Sequence, residues 1–303
     1  MTGNRSDFTL VGMGEILWDM LPDGRKLGGA LANFAYHCHA LGANGSVVSC
    51  VGRDPLGSEI LERIESLGLE KDYIAIDQEH ATGTVTVELD EKGKPEYIIQ
   101  EDVAWDFIPT TEHVLQLAGR CDAVCFGSLC QRSPVSRSTV REFLKCTRGD
   151  CLRVFDINIR QQYYSKDVVS DMLELSNILK LNDEELPLVA QMFEMSGGET
   201  ELLGELTERF ALELIALTKG AHGSRLYSRG KDSSHPGVAV EDIADTVGAG
   251  DSFTAAIAIG WLLNRPLDDI NEHANRVAGF VCSQDGATPR LPDVLVREFG
   301  LPQ

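Results

Sequence analysis

The chain has 303 residues, 43% of them hydrophobic and 24% charged, and a formal net charge of −20. That is apolar sequence enough for one large α/β domain or two smaller ones. The acidic excess excludes duplex nucleic acid as a partner, because no basic surplus exists to release counterions, and no apolar run is long enough to span a membrane.

The polar N-terminus runs into Phe8–Met13, read as a strand, without a signal-peptide pattern, so the expected location is cytoplasmic. Gly14-Glu15-Ile16-Leu17-Trp18-Asp19 follows and places an acid, Asp19, just past that strand. A carboxylate that accepts two neighbouring hydroxyls is a common way to hold a polyol, although a lone loop acid is also an ordinary solvated residue. Gly28-Gly29 then precedes a helix expected over Ala30–Leu41, with Leu31, Phe34, Ala35, Cys38 and Leu41 on one face and Gly42 as its stop. Paired glycines there let a ligand approach the backbone, and Asn33 falls in the first helical turn, where its amide can both donate and accept. His37 and His39 lie two apart, point to different faces and cannot share a metal.

Ser46–Val51 reads as a strand, and Asp54-Pro55 starts a helix bearing Leu56, Ile60, Leu61, Ile64 and Leu67 that stops at Gly68. Thr84–Leu89 alternates with period two, Asp90–Lys94 reads as a turn, and Glu96–Gln100 resumes the extended pattern, a β-hairpin exposed on one face. With Ile16–Met20 and Lys26–Leu27 it could build a small separate sheet, either a lid over a site or a surface decoration. Further strands are expected at Ala123–Gly127, Arg153–Ile157, Ile178–Leu181 and Leu214–Thr218, with helices between them. This alternation implies a mainly parallel sheet covered on both faces. The eight cysteines, Cys38, Cys50, Cys121, Cys125, Cys130, Cys146, Cys151 and Cys282, include no C-x-x-C pair and read as reduced, buried thiols.

The most telling segment comes last. Asp245-Thr246-Val247-Gly248-Ala249-Gly250-Asp251 leads directly into an apolar helix over Phe253–Leu263. Small residues let successive N–H groups converge, and the unpaired amides of a helix N-terminus add positive potential. That is an anion site, most naturally for a phosphate. A carboxylate beside a phosphate is electrostatically awkward, so Asp251 needs a task of its own, and general-base chemistry on a hydroxyl attacking the phosphate supplies one.

Gly28-Gly29-Ala30-Leu31-Ala32-Asn33 and Asp245 to Phe253 resemble the two signatures of the ribokinase-like (PfkB) carbohydrate kinases, and the resemblance covers essentially the whole chain. Asp156-Ile157-Asn158-Ile159-Arg160 is similar to the family's D-x-N-x-R segment, Asn182-Asp183-Glu184-Glu185 to its N-x-x-E motif, and Thr218 to Gly223 to its T-x-G-x-x-G strand end. The opening Gly-Glu-Ile-Leu-Trp-Asp and Val103–Asp106 resemble the bacterial fructokinase branch. The resemblance implies a single three-layer αβα sandwich over 1–303, with a mainly parallel central sheet and a small β-sheet lid from about 15–28 and 83–106.

It also implies ATP-dependent phosphorylation of a sugar, most naturally D-fructose to fructose 6-phosphate. Asp251 would be the base and the amides of Gly248, Ala249 and Gly250 the anion hole, with Arg160 on the phosphates. Asp19, Gly28, Gly29 and Asn33 would hold the sugar. Asn182, Glu185, Thr218, Gly220, Gly223 and Asn275 would border the nucleotide, with Mg²⁺ reached through water near Glu185. Asp245 and carbonyls near Val247, Val281, Gln284 and Gly286 match a monovalent-cation loop. Arg290 stands where some members have a small hydroxyl residue, and Lys219 where the family is often apolar, which leaves K⁺ dependence and local ATP contacts open. Pairing of lid strands would make a homodimer. Rival readings are 2-keto-3-deoxygluconate kinase, ribokinase or nucleoside kinase, and, from another class, a catalytically silent sugar-binding regulator. A nicotinamide dehydrogenase is disfavoured, since Gly12-Met13-Gly14 lacks the third glycine and helix opening. Glu101, Asp102 and Asp106, with no Lys or Arg over 96–106, argue for a neutral acceptor.

Overall fold

The structure, a computed structural model, describes residues 8–298 apart from 22–23 and 90–94, so the turn expected at Asp90–Lys94 lies outside the described residues. The first half runs β1 (Thr9–Met13), β2 (Leu17–Leu21), β3 (Gly24–Gly28), α1 (Ala30–Ala40), β4 (Asn44–Gly52), α2 (Pro55–Ser66), β5 (Ile74–Asp77), β6 (Thr84–Leu89), β7 (Pro95–Ile99), α3 (Glu112–Ala118) and β8 (Ala123–Phe126). The second runs α4 (Pro134–Cys146), β9 (Leu152–Asp156), α5 (Lys166–Leu175), β10 (Ile178–Asn182), α6 (Glu185–Met192), α7 (Glu199–Arg209), β11 (Leu214–Thr218), β12 (Ser224–Ser228), β13 (Lys231–His235), α8 (Ala249–Leu262), α9 (Leu267–Cys282) and α10 (Asp293–Arg297).

Among the described residues, nine strands form one sheet in the order β13-β12-β11-β10-β9-β8-β1-β4-β5, parallel from β11 to β5. The strands alternate their apolar side chains between two cores. On β8, Ala123 and Cys125 face the core shared with α1, α8, α9 and α10, while Val124 and Phe126 face the core shared with α3 to α7. A period-two pattern that is apolar at both phases is what burial on both faces requires. Helix α8 is the extreme case, with every residue from Ser252 to Gly260 buried. Its sequence is correspondingly apolar all round, as expected of a helix inside a core.

A second sheet of four strands has the order β3-β2-β6-β7, with β2 parallel to β6 and the outer pairs antiparallel. It joins the main body through Trp18, whose indole Nε1 donates to the Leu56 carbonyl at 3.0 Å. Asp54 anchors the entry to β6. Its carboxylate caps α2 through the Gly57 amide and also accepts from the amide and the hydroxyl of Thr82, each at 2.8 Å.

Two features differ from expectation. The antiparallel pair β12–β13 was not expected, because β13 reads Lys-Asp-Ser-Ser-His and carries no apolar alternation. As an edge strand it needs none; its signal is the turn, where Arg229 and Gly230 both have positive φ. The cysteines are all free, but not all buried: Cys146 is exposed and Cys282 half-buried, because both sit at the ends of helices. No helix among the described residues is long and apolar enough to cross a membrane.

Replacing Asp54 by Ala removes a helix cap and strips acceptors from two Thr82 donors. It is expected to cost about 2 kcal/mol in urea denaturation and to speed amide exchange at the start of β6.

Candidate active site

The site lies along the C-terminal ends of the parallel strands, where open α/β sheets place their ligands. Gly28 closes β3 and Gly29 caps α1. Both are required by close approach. A Cβ on Gly28 would lie 2.4 Å from Asp19 Oδ2, and one on Gly29, whose φ is +111°, would lie 2.4 Å from the Glu15 carbonyl. Asp19, Gly28 and Gly29 are therefore contiguous, and the first turn of α1 brings Asn33 in behind them.

Gly248, in the left-handed conformation at φ +80°, caps α8. A Cβ there would lie 2.6 Å from the Ala287 carbonyl, so the turn packs flat against the loop after α9. That same carbonyl accepts from the ring of His37 at 2.8 Å. His37 is thus a buried tie between α1 and this loop. Burial holds its ring near pKa 4 against the pull of the Ala287 carbonyl, so it is neutral.

Asp251 sits in the first turn of α8, and its Oδ2 accepts from Asn33 Nδ2 at 2.8 Å. Two segments 218 residues apart thus meet side chain to side chain. Burial pushes the Asp251 carboxyl up to about 6; Asp156 pushes the same way, and Asn33, Lys180 and Arg160 oppose. Asp19 is also raised to about 6, by burial and then by Asp245, against Arg160. Glu15 reaches about 7, chiefly through burial. Glu15 Oε2 and Asn33 Oδ1 are buried and have no hydrogen-bond partner among the described residues.

The D-x-N-x-R and N-x-x-E segments are locked together. Asn182 Oδ1 accepts from the amides of Glu184 and Glu185, and Glu185 Oε2 accepts from the Asn182 amide, a reciprocal cap on α6. Glu185 Oε1 accepts from the Ile159 amide at 2.8 Å and so fixes the loop that carries Arg160. Arg160 is exposed, and its charge acts on Glu15, Asp19 and Asp251 together. Beneath them Lys180 pairs with Asp156 at 3.0 Å, both side chains nearly buried. Neither Glu15 nor Lys180 was singled out from the sequence. The signal for Lys180 was a lone cation inside the strand Ile-Leu-Lys-Leu-Asn, where burial demands a partner.

Among the residues expected to border a nucleotide, Thr218 ends β11 and its carbonyl accepts from the Asp183 amide at 3.0 Å. Gly220 and Gly223 both have positive φ and bracket a single 3₁₀ turn. Lys219 turns to Glu199 on α7, with which it forms an ion pair at 2.8 Å. Asn275 is placed differently from expectation: it is buried, and its Nδ2 donates to Ser224 and Asn271 instead of into an open pocket. In the loop expected to hold a monovalent cation, Asp245 Oδ1 accepts from the Val247 amide and Oδ2 lies 3.5 Å from Lys26 Nζ on β3. The Val281 carbonyl accepts from the Gln284 amide, and Gly286 takes φ +75°. Asp106, expected to add free negative charge to the cleft, is instead neutralised by a two-point contact with the buried Arg132. Among the described residues no group of three His, Cys, Asp or Glu side chains could hold a metal directly.

The chain matches the pfkB family of carbohydrate kinases over residues 24–294. It is 31% identical over 280 residues to the sugar kinase PH1459 of Pyrococcus horikoshii, covering 88% of this chain and 85% of that protein. It is 30% identical over 264 residues to a fructokinase of Salmonella typhimurium, covering 83% and 84%. The Pyrococcus horikoshii protein in complex with ATP superimposes with TM-score 0.82 at 26% identity over 97% of this chain and 100% of that one. A Xylella fastidiosa fructokinase with bound ATP shares the fold, with TM-score 0.83 at 19% identity over 96% and 97%.

Because Gly248 needs φ +80° and abuts the Ala287 backbone, Gly248→Ala is expected to displace the turn. The soluble, folded variant should lose at least about tenfold in turnover, together with about 1–3 kcal/mol of stability by thermal melting.

Proposed function

The chain belongs to the pfkB family of carbohydrate kinases, and on that premise we propose that it transfers the γ-phosphoryl group of ATP to D-fructose. The observation that carries this reading is the contact between Asn33 and Asp251, since it sets a half-buried carboxylate at the mouth of a helix N-terminus beside the Asp19–Gly29 grip. Asp251 takes the proton from the attacking hydroxyl. The first-turn amides of α8 at Gly250 and Asp251 lack intrahelical acceptors and face the charge that builds on the transferring group. Arg160, exposed at the rim, engages phosphate oxygens.

Mg²⁺ fits the Glu185 carboxylate, which two amides orient and which keeps lone pairs for water bound to the ion. When bound, the ion neutralises charge on the phosphates. Asn182 uses its side-chain oxygen to cap α6, which leaves its Nδ2 to face phosphate.

Support for a neutral polyol comes from the walls of the cleft. Glu15, Asp19, Asp245 and Asp251 outnumber the cations Arg160, Lys26 and Lys180, and Glu15 Oε2 and Asn33 Oδ1 are buried acceptors lacking donors among the described residues. A hydroxyl-rich ligand supplies donors, and a carboxylate does not. The relatives named fructokinase point to fructose within that class. The four-stranded sheet acts as a lid that excludes water and suppresses wasteful hydrolysis of ATP. Its outer strands β3 and β7 offer open edges to a second copy of the chain.

ADP release measured across fructose, ribose, 2-keto-3-deoxygluconate and a nucleoside tests the acceptor, with NMR of the product fixing the hydroxyl; fructose should give the highest kcat/KM. Tight sugar binding without turnover would favour a regulator instead. Asp251→Asn should lower kcat by about 10²–10⁴-fold. Since Asp251 must be ionised to accept a proton and its pKa lies near 6, kcat/KM should fall about tenfold per pH unit below that value.

A further inference from the structure

We infer that Lys180 is a positioning residue for phosphoryl transfer: its buried ammonium, tied through Asp156 to Thr254, sets the first turn of α8 and keeps Asp251 in the charged form that accepts a proton. The inference rests on the reading of Asp251 as the base.

The geometry is a chain of short contacts. Lys180 Nζ donates to Asp156 Oδ1 at 3.0 Å. Thr254 Oγ1 shares its proton between Asp156 Oδ2 at 3.2 Å and the Gly250 carbonyl at 2.9 Å. The ammonium also lies against the helix turn itself, since a Cβ on Gly250 would come within 3.2 Å of Nζ. Strands β9 and β10 are thereby fastened to the turn that carries the base and the phosphate-facing amides.

The charges make the cation necessary. Asp251 is faced by Glu15 from the end of β1, Asn33 from α1, Asp156 from β9, Arg160 from the loop beyond it and Lys180 from β10. Lys180 is faced by Asp156, by Glu185 from α6, by Asp251 and by the Cys125 thiol of β8, which burial keeps protonated. Three carboxylates therefore converge on one lysine. Burial works against its charge, but Asp156, Glu185 and Asp251 together outweigh it and hold its pKa above the ordinary value. Without that charge, the buried Asp156 and the half-buried Asp251 would repel each other, and one would hold its proton. Arg160 acts in the same sense but more weakly than Lys180, because it is exposed to water.

The test uses the intact enzyme and compares pH profiles of kcat/KM for wild type, Lys180→Met, Asp156→Asn and the double variant. The ionisation of ATP is common to all four and cancels. Lys180→Met should move the acid limb up by about 1–2 pH units, the effect of one opposite charge at close range. Asp156→Asn should move it down. The double variant, which removes both charges, should bring it back to within about half a unit of wild type. A Lys180→Met protein that melts lower but keeps its acid limb overturns the inference. If Lys180→Met fails to fold, an unmoved limb in Asp156→Asn overturns it equally. Full turnover in Asp251→Asn would instead remove the base assignment itself, and is read separately from the Lys180 result.

Discussion

The hydrogen bond from Asn33 to Asp251 is the constraint on which the site depends. It joins the first turns of two helices, α1 and α8, whose N-termini point into one cleft. Neither residue can be placed by its own local sequence. Asn33 is held because Gly29 lets α1 begin against the Glu15 backbone, and Asp251 because Gly248 lets α8 begin against Ala287. Two glycines with positive φ therefore do more for the chemistry than their absent side chains suggest. Each permits a backbone approach that any Cβ would block.

Around that bond the protein concentrates charge instead of excluding it. Glu15, Asp19, Asp156, Glu185 and Asp251 all lie within one region, and burial raises four of these carboxyls. Such a cluster is costly unless cations and amides compensate. Here Lys180 compensates from below, Arg160 from the rim, and the amides of Asn182 and Ile159 from the side. The net acidity of the whole chain is thus no obstacle to binding a nucleotide, because the local balance is set by a few oriented groups.

The two-sided sheet was legible in the sequence because its strands are apolar at both phases, and the small sheet because β6 alternates. The convergence of Gly28–Asn33 with Asp245–Asp251 was legible only through resemblance, since nothing in periodicity relates segments so far apart. What escaped was what single residues conceal. The roles of Lys180, His37 and Arg132 are each set by a partner distant in sequence: Asp156, Ala287 and Asp106 in turn. Asn275 illustrates the opposite hazard. A motif position suggested an outward task, but Ser224 and Asn271 engage its amide first.

Strand β3 passes into helix α1 with only Gly29 between them. Gly29 is thus one of the joints between the two sheets, and Asn33 sits one helical turn beyond it, its backbone N–H donating back to the Gly29 carbonyl at 3.0 Å. A change in the angle of the small sheet at this joint would therefore reach Asn33, and through its hydrogen bond the Asp251 carboxylate, like a lever across a short fulcrum.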